Sequence, residues 1–238
     1  MKRFFSFLLI AGLLLSGCTH QREPEGDWSE PSTEIVMATQ SAPVTAQTQE
    51  TVQYPDPQDL VFVAVEDYIP DIQIDLKYAT TDNFTGQVIY EFETVYLRYG
   101  TVKKLLAVQE DLKQLDLGLM IWDGFRPVRA QYRLWEVCPD ARYVANPNTG
   151  FSAHNRGNTV DLTLVDSQGK QLLMPTGFDD FSKKADRDYS DCPQEAADNA
   201  LLLEALMEKH GFTGYKNEWW HFTDLVSYPV EETFQPAS

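Results

Sequence analysis

Periodic hydrophobic segments begin at about Leu60, and before that point the chain holds only one short apolar run near its N-terminus. Four segments have the pattern of strands: the apolar runs 61–65 and 119–122, and the apolar/polar alternations over 72–76 and 159–165. In the last of these, Val160, Leu162 and Leu164 share one face, while Asp161 and Thr163 share the other, polar face.

Three further segments have helical spacing, and their ends carry the usual boundary residues. They are 101–115 with Gly118 as its stop, Pro127 to about Val137, and Ala196–His210 closed by Gly211. Residues 146–150 predict a loop. Strands and helices interleave without a regular βαβ rhythm or a repeat, so the sequence predicts one α+β domain over residues 60–238.

The N-terminus has the pattern of a signal peptide. Lys2 and Arg3 precede an apolar run over 4–15, which is too short to span a bilayer. The sequence Leu15–Cys18 resembles the cleavage box of bacterial lipoproteins, in which cleavage precedes a lipid-bearing cysteine. The chain is therefore predicted to lose residues 1–17 and to be lipidated on Cys18, although an ordinary secretory signal with an incidental cysteine also fits.

Residues 18–59 are rich in Gln, Thr, Ser, Glu, Pro and Ala and lack apolar periodicity, which predicts a flexible tether. No transmembrane pattern follows, so lipid alone would anchor the protein to a bacterial membrane in the cell envelope, on its periplasmic or extracellular face. The formal charge of −17, from 19 basic and 36 acidic residues, argues against nucleic acid and anionic lipid as partners. The sequence gives no prediction of oligomeric state.

Two cysteines, Cys138 and Cys192, lie in the predicted domain. A disulfide between them is chemically allowed outside the cytoplasm, and their spacing alone does not decide whether it forms. Neither has a second cysteine at zinc-finger distance, so they do not predict a metal site.

Candidate chemistry centres on two histidine clusters, Ser152–Asp161 and Glu218–His221. If they meet in space, His154, Asp161 and His221 supply two imidazoles and one carboxylate, the donor set of a hydrolytic zinc site with one position left for water. Glu218 could then act as the general base on that water. Taken as spacing alone, the alternative of ordinary packed or surface histidines stays open.

Arg126 follows a predicted buried strand in the sequence Asp-Gly-Phe-Arg-Pro. It could stabilise an oxyanion, or it could form a structural ion pair with Asp123, and the sequence pattern allows both. The aromatic residues Trp219, Trp220 and Phe222 are predicted to belong to the core or to a pocket wall.

Several motifs occur together in a characteristic order: Ser-x-His-x-Arg-Gly-x-x-x-Asp at 152–161, Glu-x-Trp-His at 218–221, and Asp-Gly-Phe-Arg-Pro at 123–127. With the segments 75–86, 96–98 and 208–212, they resemble the zinc-dependent D-alanyl-D-alanine dipeptidases over essentially the whole domain. The resemblance implies an α+β fold with a central antiparallel sheet flanked by helices, shared with D,D-carboxypeptidases and the hedgehog signalling domain.

The resemblance also implies a role for each motif residue. His154, Asp161 and His221 would bind one Zn²⁺, Glu218 would be the base, and Arg126 would stabilise the tetrahedral intermediate. Ser152 matches one ligand of the substrate ammonium. Asp179 is the preferred second ligand, although the adjacent Asp180 also fits.

The predicted activity is hydrolysis of D-Ala-D-Ala to two D-alanines in the cell envelope. The vancomycin-resistance member of this family is cytoplasmic, so the signal peptide argues against interception of a cytosolic cell-wall precursor. Two alternatives remain: a D,D-carboxypeptidase acting on peptidoglycan stem peptides, and a non-catalytic wall-binding lipoprotein.

Overall fold

The structure is a computed structural model, and it describes residues 58–237. The predicted signal peptide, Cys18 and nearly all of the predicted tether lie outside the described residues. Asp59, assigned to the end of the tether, pairs with Lys103 at 2.7 Å, so the fold begins slightly before residue 60. Within 58–237, no helix has the length and apolar character needed to cross a membrane.

Seven strands and three α-helices make up the described fold. The strands are β1 (Phe62–Ala64), β2 (Gln73–Ile74), β3 (Tyr96–Arg98), β4 (Leu117–Asp123), β5 (Thr159–Asp166), β6 (Phe212–Tyr215) and β7 (Glu218–Asp224). The helices are α1 (Tyr99–Lys113), α2 (Val128–Val137) and α3 (Gln194–Lys209). The three predicted helices are confirmed to within two residues at each end, and residues 146–150 form the predicted turn.

A five-stranded sheet of order β2-β4-β5-β7-β6 forms the centre, and β1 pairs with β3 in a separate ribbon. All neighbouring strands are antiparallel except β2 and β4, which are parallel. Helices α1 and α3 contact each other and the sheet, where Leu119, Ile121 and Leu162 are fully buried. The predicted α+β class with a largely antiparallel central sheet is confirmed.

Several predicted boundaries are wrong for identifiable reasons. The run 61–65 gives only the short β1, because the chain turns into a 3₁₀ helix at Val65–Asp67, and the alternation over 72–76 gives only the two residues of β2. Gly118 does not stop α1. The helix ends at Lys113, Asp116 adopts a left-handed backbone with φ of 57°, and Gly118 lies inside β4.

The central strand β5 is buried on both faces, contrary to the prediction of an apolar and a polar face. Its polar residues Asp161 and Thr163 are as inaccessible as the neighbouring Leu162. A carboxylate this deeply buried needs a compensating partner, and it is the first sign of a site on that face.

Both domain cysteines, Cys138 and Cys192, are free, so the structure contains no disulfide between them. The thiol of Cys192 instead donates a hydrogen bond to the carbonyl of Tyr189 at 3.4 Å.

Candidate active site

His154 lies on a single 3₁₀ turn, Ala153–Arg156, whose two ends are fixed by its neighbours. Ser152 caps the turn reciprocally with Asn155, and Gly157 ends it with φ of 73°. A Cβ on Gly157 would lie 2.3 Å from the ring of Phe62, so glycine is required there both by the backbone and by the space.

The orientation of the His154 ring is set by a backbone carbonyl. Its Nδ1 donates to the oxygen of Gly124 at 2.8 Å, which places the proton on Nδ1 and leaves the Nε2 lone pair free. Nε2 lies 3.3 Å from Oδ2 of Asp161. A histidine that binds a metal through one ring nitrogen usually donates its other ring N–H to a carbonyl or carboxylate in this way.

Asp161 on β5 and His221 on β7 are direct cross-strand partners in the sheet. Their side chains therefore share a face, and Oδ1 of Asp161 lies 2.9 Å from Nδ1 of His221. This buried Oδ1 nevertheless has no hydrogen-bond donor. A buried carboxylate oxygen without a donor, beside a ring nitrogen, is suited to binding a cation.

The three donor atoms of His154, Asp161 and His221 lie within 4.8 Å of one another, so these residues can hold a metal ion together. Bonds of about 2.1 Å around a tetrahedral zinc ion separate its ligand atoms by about 3.4 Å. The observed separations of 3.3 and 2.9 Å are close to that value. Donor chemistry and spacing both fit Zn²⁺.

Glu218 reaches the same face because the β6–β7 ladder is irregular. Two residues three apart on a regular strand point to opposite faces. Here the pairing shifts between Gly214 and Tyr215, and Tyr215 pairs with Glu218. The resulting bulge brings Oε2 of Glu218 to 3.6 Å from Nδ1 of His221. Burial raises the pKa of Glu218, as suits a proton acceptor in catalysis.

Arg126 forms an ion pair and also lines the pocket, so the two interpretations from sequence are compatible. Its guanidinium donates to Asp123 at 2.5 Å, to the hydroxyl of Tyr90 at 3.2 Å and to Gln131 at 2.9 Å. It also lies over the ring of Tyr78, 5.1 Å from the centroid. The group is held from several sides and remains positively charged inside the site.

The backbone separates the two candidate aspartates. Asp179 adopts a left-handed conformation with φ of 56°, lines the pocket and accepts a hydrogen bond from the hydroxyl of Tyr78 at 2.9 Å. Burial, together with the negative charge of Asp161, raises its pKa to about 8. Asp180 instead accepts from the backbone N–H of Ser182 at 2.8 Å and does not line the pocket.

A cavity of about 370 Å³ joins these groups. Its lining contains every residue predicted for catalysis, metal binding and substrate binding within the described range: Arg126, Ser152, His154, Asp161, Asp179, Glu218 and His221. Four exposed aromatic side chains stand at its edge: Tyr143, Phe151, Phe181 and Tyr215. By contrast, the adjacent Trp219, Trp220 and Phe222 belong to the core.

The model of the peptidase M15 family, D-Ala-D-Ala dipeptidase, matches residues 58–236. The chain belongs to this family. A D-alanyl-D-alanine dipeptidase of Escherichia coli is 41% identical over 178 residues, which cover 74% of this chain and 90% of the relative. One from Enterococcus faecalis is 30% identical over 194 residues, covering 73% of this chain and 95% of the relative.

Solved structures give a weaker likeness to this member of the M15 family. A crystal structure of a vancomycin-resistance D,D-dipeptidase, in complex with a D-Ala-D-Ala phosphinate analogue, matches with a TM-score of 0.38 and 19% identity. The match covers 57% of this chain and 53% of the other. The family assignment rests on the family model and the sequence relatives.

Sequence reasoning missed the residues that orient the predicted ones. Tyr78 donates to Asp179, Tyr90 donates to Asp123 at 2.7 Å and lies against Arg126, and Gln131 holds Arg126 from α2. All three are buried. The sequence gives no signal for this, since Tyr78 and Gln131 stand among polar and charged neighbours. Tyr78 lies in the segment that carries the family resemblance, but its role was not predicted.

Proposed function

We propose that this chain hydrolyses the dipeptide D-Ala-D-Ala to two D-alanines. One observation carries the proposal: His154, Asp161, His221 and Glu218 converge in a pocket that also contains a half-buried carboxylate, Asp179, suited to a free ammonium. The names of the relatives and the family model support the same substrate.

The proposed zinc ligands are His154, Asp161 and His221. Zinc bound there supplies a Lewis acid and lowers the pKa of water in the site to about 7. Glu218 takes a proton from the attacking water and later gives it to the leaving amine. A carboxylate with a raised pKa suits both transfers.

The other proposed roles follow from charge. Arg126 is fixed and cationic, and it stabilises the negative charge that develops on the scissile carbonyl oxygen. Asp179 and the hydroxyl of Ser152 bind the substrate ammonium. Since Asp179 lines the pocket and Asp180 does not, we assign the carboxylate contact to Asp179.

We further propose that the protein is anchored in the cell envelope by a lipid on Cys18 and that residues 18–59 tether the domain. The support is the pattern of residues 1–18 alone. In that location the dipeptide would come from wall turnover, and its hydrolysis would provide D-alanine as a nutrient.

One observation favours the alternative of a D,D-carboxypeptidase. A second cavity of about 510 Å³ adjoins the catalytic pocket, so a ligand longer than a dipeptide has room beyond it. The two cavities share Arg142, Tyr143, Phe181, Tyr215 and Glu218. The lining of the second cavity includes two cationic side chains, Arg142 and Lys183.

One assay separates the two activities. Purified protein is loaded with zinc and incubated with free D-Ala-D-Ala or with a pentapeptide stem ending in D-Ala-D-Ala, and released D-alanine is measured. We expect turnover of the dipeptide at least a hundredfold above that of the pentapeptide. Comparable pentapeptide turnover would identify a carboxypeptidase, and release from neither would support the non-catalytic alternative.

A further inference from the structure

Arg187 lies outside the catalytic pocket, yet its guanidinium binds the strand that carries two of the pocket residues. Its Nη2 donates to the carbonyl oxygens of Trp219 and His221, both at 3.0 Å, and its Nε donates to that of Tyr215 at 3.0 Å. The Arg187 backbone N–H donates to the oxygen of Lys216 at 3.1 Å. One side chain therefore connects both sides of the β6–β7 turn.

These acceptors exist because of the bulge in β7. Gly214 pairs with Phe222 and Tyr215 pairs with Glu218, so residues 219–221 have no Cα partner on β6. Their carbonyls on that side lack the ladder bonds of a regular strand, and buried carbonyls need another donor. The fork of the Arg187 guanidinium supplies it.

The surroundings of Arg187 are shaped for a guanidinium. The group lies over the ring of Phe222, 4.4 Å from the centroid, and Nη1 pairs with Glu204 of α3 at 2.9 Å. A Cβ on Gly214 would lie 2.2 Å from its Cζ, so only glycine leaves room for it at that position of β6.

We propose that Arg187 is a positioning residue for the active site. By binding the carbonyls of Trp219 and His221 it fixes the bulge, and the bulge sets the position of Glu218 relative to His221. The inference depends on the roles proposed above for those two residues. In this proposal Arg187, which lies outside the pocket, holds the metal ligand His221 and the base Glu218 in place through the backbone of β7.

A merely structural role makes a different prediction. If Arg187 only tied the segment around it to α3, its ion pair with Glu204 would be the important contact. Substitution of either partner would then lower the free energy of unfolding and leave the zinc affinity unchanged. If Arg187 positions the bulge, the carbonyl contacts matter, and the two substitutions must differ in their effect on metal binding.

The test compares Arg187→Lys with Glu204→Gln as the matched control. Lysine keeps the charge but cannot reach both carbonyls with a planar fork, whereas Glu204→Gln leaves both carbonyl bonds intact. Zinc affinity is measured by competition with a chromophoric chelator, and kcat and KM are measured on D-Ala-D-Ala. Loss of an outer partner of a metal ligand typically weakens metal binding 10–100-fold.

We expect Arg187→Lys to bind zinc at least tenfold more weakly and to lose at least tenfold in kcat, with KM within threefold of the wild type. Glu204→Gln should stay within threefold of the wild type in zinc affinity and kcat. The proposal is overturned if Arg187→Lys keeps zinc affinity within threefold, or if Glu204→Gln loses as much affinity as Arg187→Lys.

Gly214→Ala provides a second variant, since it displaces the guanidinium without changing the arginine. If Arg187→Lys does not fold, the zinc affinity of Gly214→Ala is compared with that of Glu204→Gln by the same tenfold and threefold limits. Zinc affinity also keeps the two proposals distinguishable. A wild-type protein that binds zinc but leaves D-Ala-D-Ala intact contradicts the proposed function, while the comparison of zinc affinities still tests Arg187.

Discussion

The surroundings of Asp179 in the folded protein disfavour the charged form of its carboxyl group. Its carboxylate is half-buried, it lies in the field of Asp161, and its backbone is left-handed with φ of 56°. Such arrangements persist where binding requires them and lower stability. Replacement by Asn removes the charge and keeps a residue that tolerates this backbone well, so Asp179→Asn should stabilise the metal-free protein while it destroys activity.

The sign of the effect follows from the pKa. Burial and the charge of Asp161 raise the pKa of Asp179 from 3.8 to about 8 in the metal-free protein. Between these values the folded state keeps a proton that the unfolded chain releases, so stability falls as the pH rises from about 4 to 8. One pKa unit corresponds to about 1.4 kcal/mol, which limits the loss to about 6 kcal/mol.

Water in the open pocket screens the carboxylate, so the actual loss is smaller than this limit. We expect Asp179→Asn to raise the free energy of unfolding by about 1–3 kcal/mol at pH 8 and by almost nothing at pH 4. The measurement is urea unfolding of metal-free protein at both pH values, followed by tryptophan fluorescence. With zinc present, kcat/KM on D-Ala-D-Ala should fall at least a hundredfold, since the ammonium loses its counter-charge.

Asp180→Asn is the control, because the side chain of Asp180 accepts from the backbone of Ser182 and lies outside the pocket. It should leave kcat/KM within threefold of the wild type. The reasoning is refuted if Asp179→Asn is less stable than the wild type at pH 8, or if Asp180→Asn shows the larger loss of activity.

Three further predictions concern the rest of the site. Glu218→Gln should retain bound zinc, measured by metal analysis, and lose about 10²–10⁴-fold in kcat, because the amide cannot accept the proton. Unchanged kcat would remove Glu218 as the base. Arg126→Lys should lower kcat by about 10²–10³-fold with a smaller change in KM, since a lysine cannot keep the same donor geometry. A KM effect alone would assign Arg126 to ground-state binding. Gly157→Ala should lower the free energy of unfolding by about 2–4 kcal/mol, because a left-handed backbone and a clash with Phe62 add together. Gly86→Ala is the control: φ is 65° but nothing lies within 4 Å of the added Cβ, so about 1 kcal/mol is expected, and equal losses would contradict the steric argument.

Local patterns predicted the helices and the central strands because their residues follow one period. They missed β3, β6 and β7, and for β7 the reason is physical. Trp219 and Trp220 are adjacent and both buried, so the segment does not show the apolar/polar alternation that marks a half-exposed strand. The strand also contains a bulge, which is fixed by contacts with Arg187, a residue distant in sequence. The same bulge brings Glu218 beside His221, so a feature that local patterns cannot show helps to build the site.

For the proposed metal ligands, too, local patterns predicted one part and missed another. His154 and Asp161 are close in sequence, but the pairing of Asp161 with His221 depends on a strand register across sixty residues that spacing cannot provide. Family resemblance supplied that link. Neither pattern nor resemblance decided between Asp179 and Asp180. In the structure, only Asp179, whose backbone is left-handed, lines the pocket.

The balance of charge in the pocket gives a physical reason to favour the dipeptide over longer peptides. Asp123, Asp161, Asp179 and Glu218 lie around the guanidinium of Arg126, so the site carries an excess of negative charge when all four are ionised. The second guanidinium in the lining, that of Arg142, is already paired with Asp140 and does not offset this excess. A zinc ion removes most of that excess, and one ammonium group removes the remainder. Free D-Ala-D-Ala brings this ammonium with it. In a stem peptide the same nitrogen is acylated and neutral, and Asp179 would keep only its hydrogen bond from Tyr78 and have no counter-charge, which is costly for a half-buried carboxylate.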